Sequence, residues 1–343
     1  GRAGEQPASV KQVNIHGPDD VRVDEVPEPR PGPRDAVVRV AACGICGSDL
    51  GYIRLGGLAG PTGRPMPIGH ELSGVVEAVG AEVEGLAPGT RVVLNPMGAG
   101  NRIGNGGAQG GFAPLLLVPD AAAGGCLFPI PDALPFERAA LAEPLGVGMQ
   151  AVNRTEIGPA DRVVVFGAGP IGLTATAVLH HRGIQDVVVV DVSERRLSIA
   201  LRLGARAVIQ AGSQDVWARI RELHGTADAL GAAMAGSHAY IEATGHSPLI
   251  GEILSNARNA ARLSVVALHR AEVPVSFLLV MAKQLTIAGS MAYPDDYGEA
   301  VRMLSEADLG PLITHRFPLD RFAEALAVAR DPSAGAKVLI EPV

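Results

Sequence analysis

Short apolar runs broken by glycine and proline fill roughly the first 150 residues. The segments VRVDEVPEPRPG, DAVVRVAAC, LSGVVEAVG, TRVVLNP and PLLLVPD are Val-rich and bounded by turn residues. Alternating or continuous apolar runs of that length predict a β-rich, barrel-like domain. Within it, NPMGAGNRIGNGGAQGGF (95–112) is so rich in Gly and Asn that it predicts a loop. From 162 to about 288 the rhythm changes. RVVVFGAG, PIGLTATAVLHHRG, DVVVVDVS, ERRLSIALRLGA and AVIQ alternate apolar strands with helical patterns, and further strands are expected at AYIEATG, RLSVVAL and LTIAGS. That alternation predicts βαβ units and a parallel sheet, hence an α/β protein. The tail carries two amphipathic helices, DYGEAVRMLSEADLG and LDRFAEALAVARD, and a last strand, AKVLIEP. No internal repeat is present.

Composition narrows the function classes. A chain of 343 residues is long enough for two ordinary domains, and 47% hydrophobic with 19% charged residues suits a soluble protein with a large core. Aromatics at 3% leave little for base stacking, and a formal charge of −7 offers no cation excess for a polyanion. No nucleic-acid partner is expected. Three cysteines, Cys43, Cys46 and Cys126, are too few for a secreted disulfide framework. The sequence as given shows no charged-then-apolar leader and no apolar run of membrane-spanning length. The expected compartment is cytoplasmic, without membrane association.

One motif speaks for a dinucleotide. VVVFGAGPIG places Gly167, Gly169 and Gly172 in a G-x-G-x-x-G pattern with Pro170 and Ile171 between them, after an apolar strand and before a helical run. The first glycine makes the turn, the second admits the pyrophosphate, and the third lets helix and strand pack closely. Asp191 follows nineteen residues after Gly172, at the end of VVVVD. A carboxylate there binds ribose hydroxyls and repels a 2′-phosphate, which points to NAD. Arg195 and Arg196 lie nearby, where an arginine either pairs with a phosphate or stacks on adenine.

CGICGSDLGY at 43–52 is open to three readings: a redox disulfide, half of a zinc knuckle, or a motif in which one thiol matters. No second cysteine pair exists to complete a knuckle. His70-Glu71 in PIGHE and Glu143 in LAEPLGVG add imidazole and carboxylate, and together with a thiolate these suit zinc.

CGICGSD, GHELSGVVEAVG, the EP pair at 143–144, VFGAGPIG and LITHRFPLDRFAEAL resemble, in order and over nearly the whole chain, the zinc-dependent medium-chain dehydrogenases, above all the polyol, butanediol and threonine branch. The resemblance implies a GroES-like β-rich catalytic domain over 1–150, a Rossmann-type doubly wound parallel sheet over 151–288, and a return to the catalytic domain over 289–343. It implies one catalytic zinc held by Cys43 and His70, with Glu71 and Glu143 as carboxylates that bind directly, through water or by exchange. Ser48 falls where the family places a hydroxyl beside the substrate oxygen. Cys46 is expected to pack. On the cofactor side the matching positions are Asp191 and Arg196 at the adenosine end, and Thr244, Leu268 and Ser290 at the nicotinamide end. His269 is the one remaining histidine beside that end. The implied activity is hydride transfer between a secondary alcohol or its ketone and NAD, the alcohol being a polyol, diol or cyclic alcohol, by a homodimer or homotetramer. A zinc-free NAD(P)H-dependent reductase of the same fold and a non-catalytic dinucleotide-binding protein are the alternatives. Two departures stand out. The loop at 95–112 lacks the four cysteines of the family's structural zinc, so no structural zinc is expected, and Gly51 replaces the histidine that passes a proton to solvent.

Overall fold

The computed structural model describes residues 7–343; the first six residues of the expected 1–150 domain lie outside the described residues. The chain forms two compact units. One comprises the residues up to Glu143 together with Gly298–Glu306 and Ile313–Val343, and the other Pro144–Tyr297 with Ala307–Leu312.

In chain order the first unit contributes β1 (Ser9–Gly17), β2 (Asp20–Pro27), β3 (Ala36–Gly44), β4 (Met66–Pro67), β5 (Glu71–Val79), β6 (Arg91–Leu94), β7 (Leu115–Val118) and β8 (Leu127–Pro129). The second contributes β9 (Arg162–Phe166), β10 (Asp186–Asp191), β11 (Ala207–Gln210), β12 (Thr226–Ala229), β13 (Ala232–Ala235), β14 (Ala239–Glu242), β15 (Arg262–Val265) and β16 (Thr286–Gly289). The chain then returns to the first unit with β17 (Ile313–Pro318) and β18 (Lys337–Glu341).

A seven-stranded sheet ordered β17-β18-β3-β5-β6-β8, with β7 also on β3, forms the body of the first unit, beside a small β2-β1-β4 sheet. Strand β3 sits at its centre and is buried along nearly all its length, which is why AVVRVAACG reads as an almost unbroken apolar run. Val38, Val40 and Cys43 of β3 join Leu72, Val76, Val92, Leu116, Val338 and Ile340 in one core. The antiparallel register of β3 and β5 sets Cys43 opposite Leu72 and Gly44 opposite Glu71. This register carries the GHE segment to the end of CGICGSD.

The second unit is built on a six-stranded sheet, all parallel, ordered β11-β10-β9-β14-β15-β16. Renumbered within the unit this is 3-2-1-4-5-6, the order of dinucleotide-binding folds, with the switch point between β9 and β14. RVVVF is buried after its first residue and DVVVVD between its two end residues, as expected of strands covered on both faces. The α/β expectation holds. No element was expected over TADALGAAMA, which forms the hairpin β12–β13; Leu230 and Gly231 both adopt positive φ, the geometry of a tight hairpin turn. Among the described residues no helix is long and apolar enough to cross a membrane.

In the second unit, His224 is buried with Nε2 3.2 Å from Asp186. Burial outweighs the attraction of Asp186 and lowers its pKa to about 4. The unfolded chain therefore binds a proton that the folded chain refuses between pH ~6.5 and 4. Stability is full above that window and falls as pH drops through it. Thermal unfolding from pH 7 down to 4.5 is expected to show a steeper loss of midpoint in the native protein than in His224→Gln.

Candidate functional site

The helix Gly47–Leu55 begins where β3 ends, and Cys46 is its N-cap residue. Its amide donates to Asp49 Oδ2 at 2.8 Å, fixing the first turn. The other oxygen of Asp49 lies 3.6 Å from His70 Nδ1, with both side chains buried. One carboxylate thus holds two segments that chain order separates. Burial raises Asp49 to about 6, against the pull of His70. Burial opposes the charged form of His70 as well, but Asp49 and Cys46 outweigh it and leave the imidazole well above its ordinary pKa.

Glu71, the next residue, is fully buried at the start of β5, and Lys337 of β18 meets its Oε2 at 2.6 Å while donating to the Ile45 carbonyl at 2.9 Å. Gly44 makes room for the pair. A Cβ there would stand 2.3 Å from Glu71 Oε2 and 3.1 Å from Lys337 Cδ.

Cys46, His70 and Glu71 bring a sulfur, a nitrogen and an oxygen within 4.8 Å of one another, the one such group among the described residues. Glu71 Oε1 is buried without a hydrogen-bond partner among the described residues. A bound cation relieves that condition. A thiol, an imidazole and a carboxylate are the donor set of a catalytic zinc, three protein ligands with a position left open. The residues present fit the metal.

The thiol is not the one expected. Cys43 is fully buried in β3 and belongs to the hydrophobic core, where burial, then Asp49 and Glu71, push its pKa well above the ordinary value. Cys46, expected to pack, sits at the helix N-cap beside His70 and Glu71. A strand residue pinned between sheet neighbours has no freedom to turn to the group; the cap residue faces it. Glu143 lies in the first turn of the helix Ala142–Asn153, outside the three-donor group, yet its charge acts on Cys46, His70 and Lys337. Asp49 and Lys337 went unrecognised in the sequence. Asp49 had a signal, since an acidic residue three positions after a helix cap is a capping-box pattern; Lys337 had none.

In the second unit, Gly167 follows β9 with φ 101°, and Gly169 caps the helix Pro170–His181, whose first residue is Pro170, followed by Ile171. A Cβ on Gly172 would stand 1.8 Å from the Gly167 carbonyl, so helix and turn touch there. A Cβ on Gly169 meets only Arg196 Nη1, at 3.7 Å, leaving the open space a pyrophosphate needs. Asp191 accepts from the amides of Ala168 and Ser193, each at 2.7 Å, which aims its carboxylate at the glycine turn. Across the switch point, buried Glu242 accepts from Thr244 N at 2.7 Å and Gly245 N at 3.0 Å, and its other oxygen meets His269 Nε2 at 2.6 Å. Leu268 is 69% exposed, and Ser290 Oγ is buried without a partner among the described residues. Glu242 was missed because nothing in EATG marks its side chain as buried.

Residues 32–132 match the alcohol dehydrogenase GroES-like domain and 170–306 the zinc-binding dehydrogenase domain. The chain belongs to the zinc-dependent medium-chain dehydrogenases, in the polyol and butanediol branch. It is 33% identical to sorbitol dehydrogenase of Homo sapiens over 95% of this chain and 94% of that one. It is 30% identical to (R,R)-butanediol dehydrogenase of Neisseria gonorrhoeae, over 97% and 99%. The crystal structure of 2R,3R-butanediol dehydrogenase from Bacillus subtilis superposes with a TM-score of 0.85 at 28% identity, covering 98% of this chain and all of that one.

Metal analysis of purified variants separates the two thiols. Cys46→Ala is expected to lose its zinc; Cys43→Ala is expected to keep it while losing about 1 kcal/mol of stability, as core truncations do. Lys337→Met removes the ion-pair partner of buried Glu71, and denaturant unfolding is expected to show a loss of about 3–5 kcal/mol.

Proposed function

We propose that this protein is a zinc-dependent, NAD-dependent dehydrogenase of secondary alcohols, with polyols and vicinal diols as its substrate class. The observation that carries the reading is the buried sulfur, nitrogen and oxygen group of Cys46, His70 and Glu71. The second unit supports it with its parallel sheet and glycine turn, and the relatives act on sorbitol and butanediol by name.

Zinc held by these three side chains would supply Lewis acidity toward an alcohol oxygen, and NAD the two-electron acceptor. The chain's own residues do the rest. Asp49 fixes the orientation of His70 and seats Cys46 at the helix cap. Lys337 holds one oxygen of buried Glu71, leaving Oε1 for the metal. Glu143 adds negative charge beside the group. Ser48, in the first turn of the same helix, is the hydroxyl that receives the hydrogen bond of the substrate alcohol. In the second unit the glycine turn and helix amides take the pyrophosphate, and Asp191 takes the ribose hydroxyls and selects NAD over its 2′-phosphate. Arg196, close to Gly169, serves the adenosine end, and Thr244, Leu268 and Ser290 serve the nicotinamide end. A homodimer or homotetramer in the cytoplasm is the expected form.

NADH formation with sorbitol, 2,3-butanediol, threonine and a bulky cyclic alcohol tests the reading. Turnover is expected with polyols or diols and is expected to vanish on chelation and return with zinc. Turnover that survives complete removal of zinc overturns the metal role, and no turnover with any secondary alcohol overturns the activity.

A further inference from the structure

Glu242 ends β14, the strand beside the switch point of the second unit's sheet, and its side chain is fully buried. One of its oxygens, Oε1, accepts from Thr244 N at 2.7 Å, from Thr244 Oγ1 at 2.5 Å and from Gly245 N at 3.0 Å. The other, Oε2, lies 2.6 Å from Nε2 of His269, whose side chain is only 10% exposed. The Glu242 carbonyl takes the amides of Val266 and Ala267 at 3.1 and 3.2 Å. A single residue therefore holds both the turn after β14 and the segment after β15.

These bonds decide how Thr244 and Leu268 can serve a cofactor. The Thr244 hydroxyl gives its one hydrogen to Glu242 and accepts from His246 N at 2.9 Å, so it is already engaged on both sides. Its methyl turns toward the glycine turn, where a Cβ on Gly167 would stand 3.2 Å from Thr244 Cγ2. Gly245 has φ 74°, and a Cβ there would stand 3.0 Å from the Leu268 carbonyl, so the two segments lie against each other. Ligands of a doubly wound sheet bind outside the carboxyl ends of the strands at the switch point, where these segments stand. What Thr244 and Leu268 offer a nicotinamide there is shape, and shape holds a ligand well only when the segments are fixed beforehand.

We infer that Glu242 and His269 are positioning residues for the nicotinamide half of NAD, joining residues 243–245 and 266–269 into one preformed wall. This rests on the dinucleotide-binding reading of the second unit and deepens it. The adenosine end is organised separately, by the bonds of Asp191 to the amides of Ala168 and Ser193. Loss of the clamp is therefore expected to weaken one half of the cofactor's binding and spare the other.

Equilibrium binding of NADH and of ADP-ribose, the same molecule without its nicotinamide, tests this on the zinc-loaded native protein and its variants, with no turnover needed. In His269→Leu and Glu242→Ala the affinity for NADH is expected to fall roughly tenfold, the scale of one hydrogen bond to a charged group, while that for ADP-ribose stays at the native level. Glu242→Gln is expected to bind both ligands as the native protein does, because its amide oxygen accepts from the same three donors and its NH2 meets the imidazole in the other tautomer. A role confined to stability moves the melting temperature and leaves the ratio of the two affinities at its native value. Where Glu242→Ala fails to fold, His269→Leu decides alone. Native NADH affinity in either variant, equal losses for both ligands, or a Glu242→Gln as weak as Glu242→Ala overturns the inference and leaves the dinucleotide reading intact. A native protein that binds neither NADH nor ADP-ribose overturns both.

Discussion

The ammonium of Lys337 sits in the interior of the first unit, and much of the site follows from that. A buried lysine is costly unless it meets a carboxylate and a carbonyl at close range, and Lys337 has both, in Glu71 and Ile45. To bring them together, β18 must lie against β3, β3 against β5 in the register that sets Gly44 opposite Glu71, and position 44 must have no side chain. The seven-stranded sheet and the ion pair therefore specify each other. A one-residue slip of β5 would turn Glu71 to the other face and strand the lysine.

Around that pair the charges do not balance. Asp49, Glu71 and Glu143 bring three carboxylates to a place that holds Lys337 and the imidazole of His70, with a thiol between them. Burial, and after it the charge of Glu71, raises Asp49 to about 6 against the pull of His70, and the same two causes raise Cys46. The surplus of negative ligands is what a dication neutralises, and metal binding releases the protons that the apo site retains. The donor geometry and the electrostatics thus point the same way.

How much of this was legible in the sequence differs between the units. In the second, strand period, glycine turn and Asp191 are local features, each readable within a few residues, and the observed sheet order agrees with them. In the first, the motif CGICGSD announced a metal but not which sulfur. Cys43 ends a run of strand residues and faces the core, whereas Cys46 begins a helix; the choice depends on where strand gives way to helix, a boundary the letters mark poorly. Lys337 and Glu242 carry no local signal at all. Their contacts come from partners 266 and 27 positions away, Glu71 and His269, which only the folded chain brings together. The glycines of 95–112 suggested a loop, and a loop it is, but one anchored at Ile68 and Gly69 rather than merely spanning a gap.

The distance between Glu71 and Lys337 along the chain also has a meaning in time. A ribosome making about 5–20 residues per second needs roughly 10 to 50 seconds to pass from one to the other. Throughout that interval Glu71 exists without its counter-charge, and the second unit, whose strands all precede β17, is synthesised whole. A nascent chain thus has every strand of the dinucleotide-binding sheet synthesised before the lysine with which the buried carboxylate of the metal site pairs.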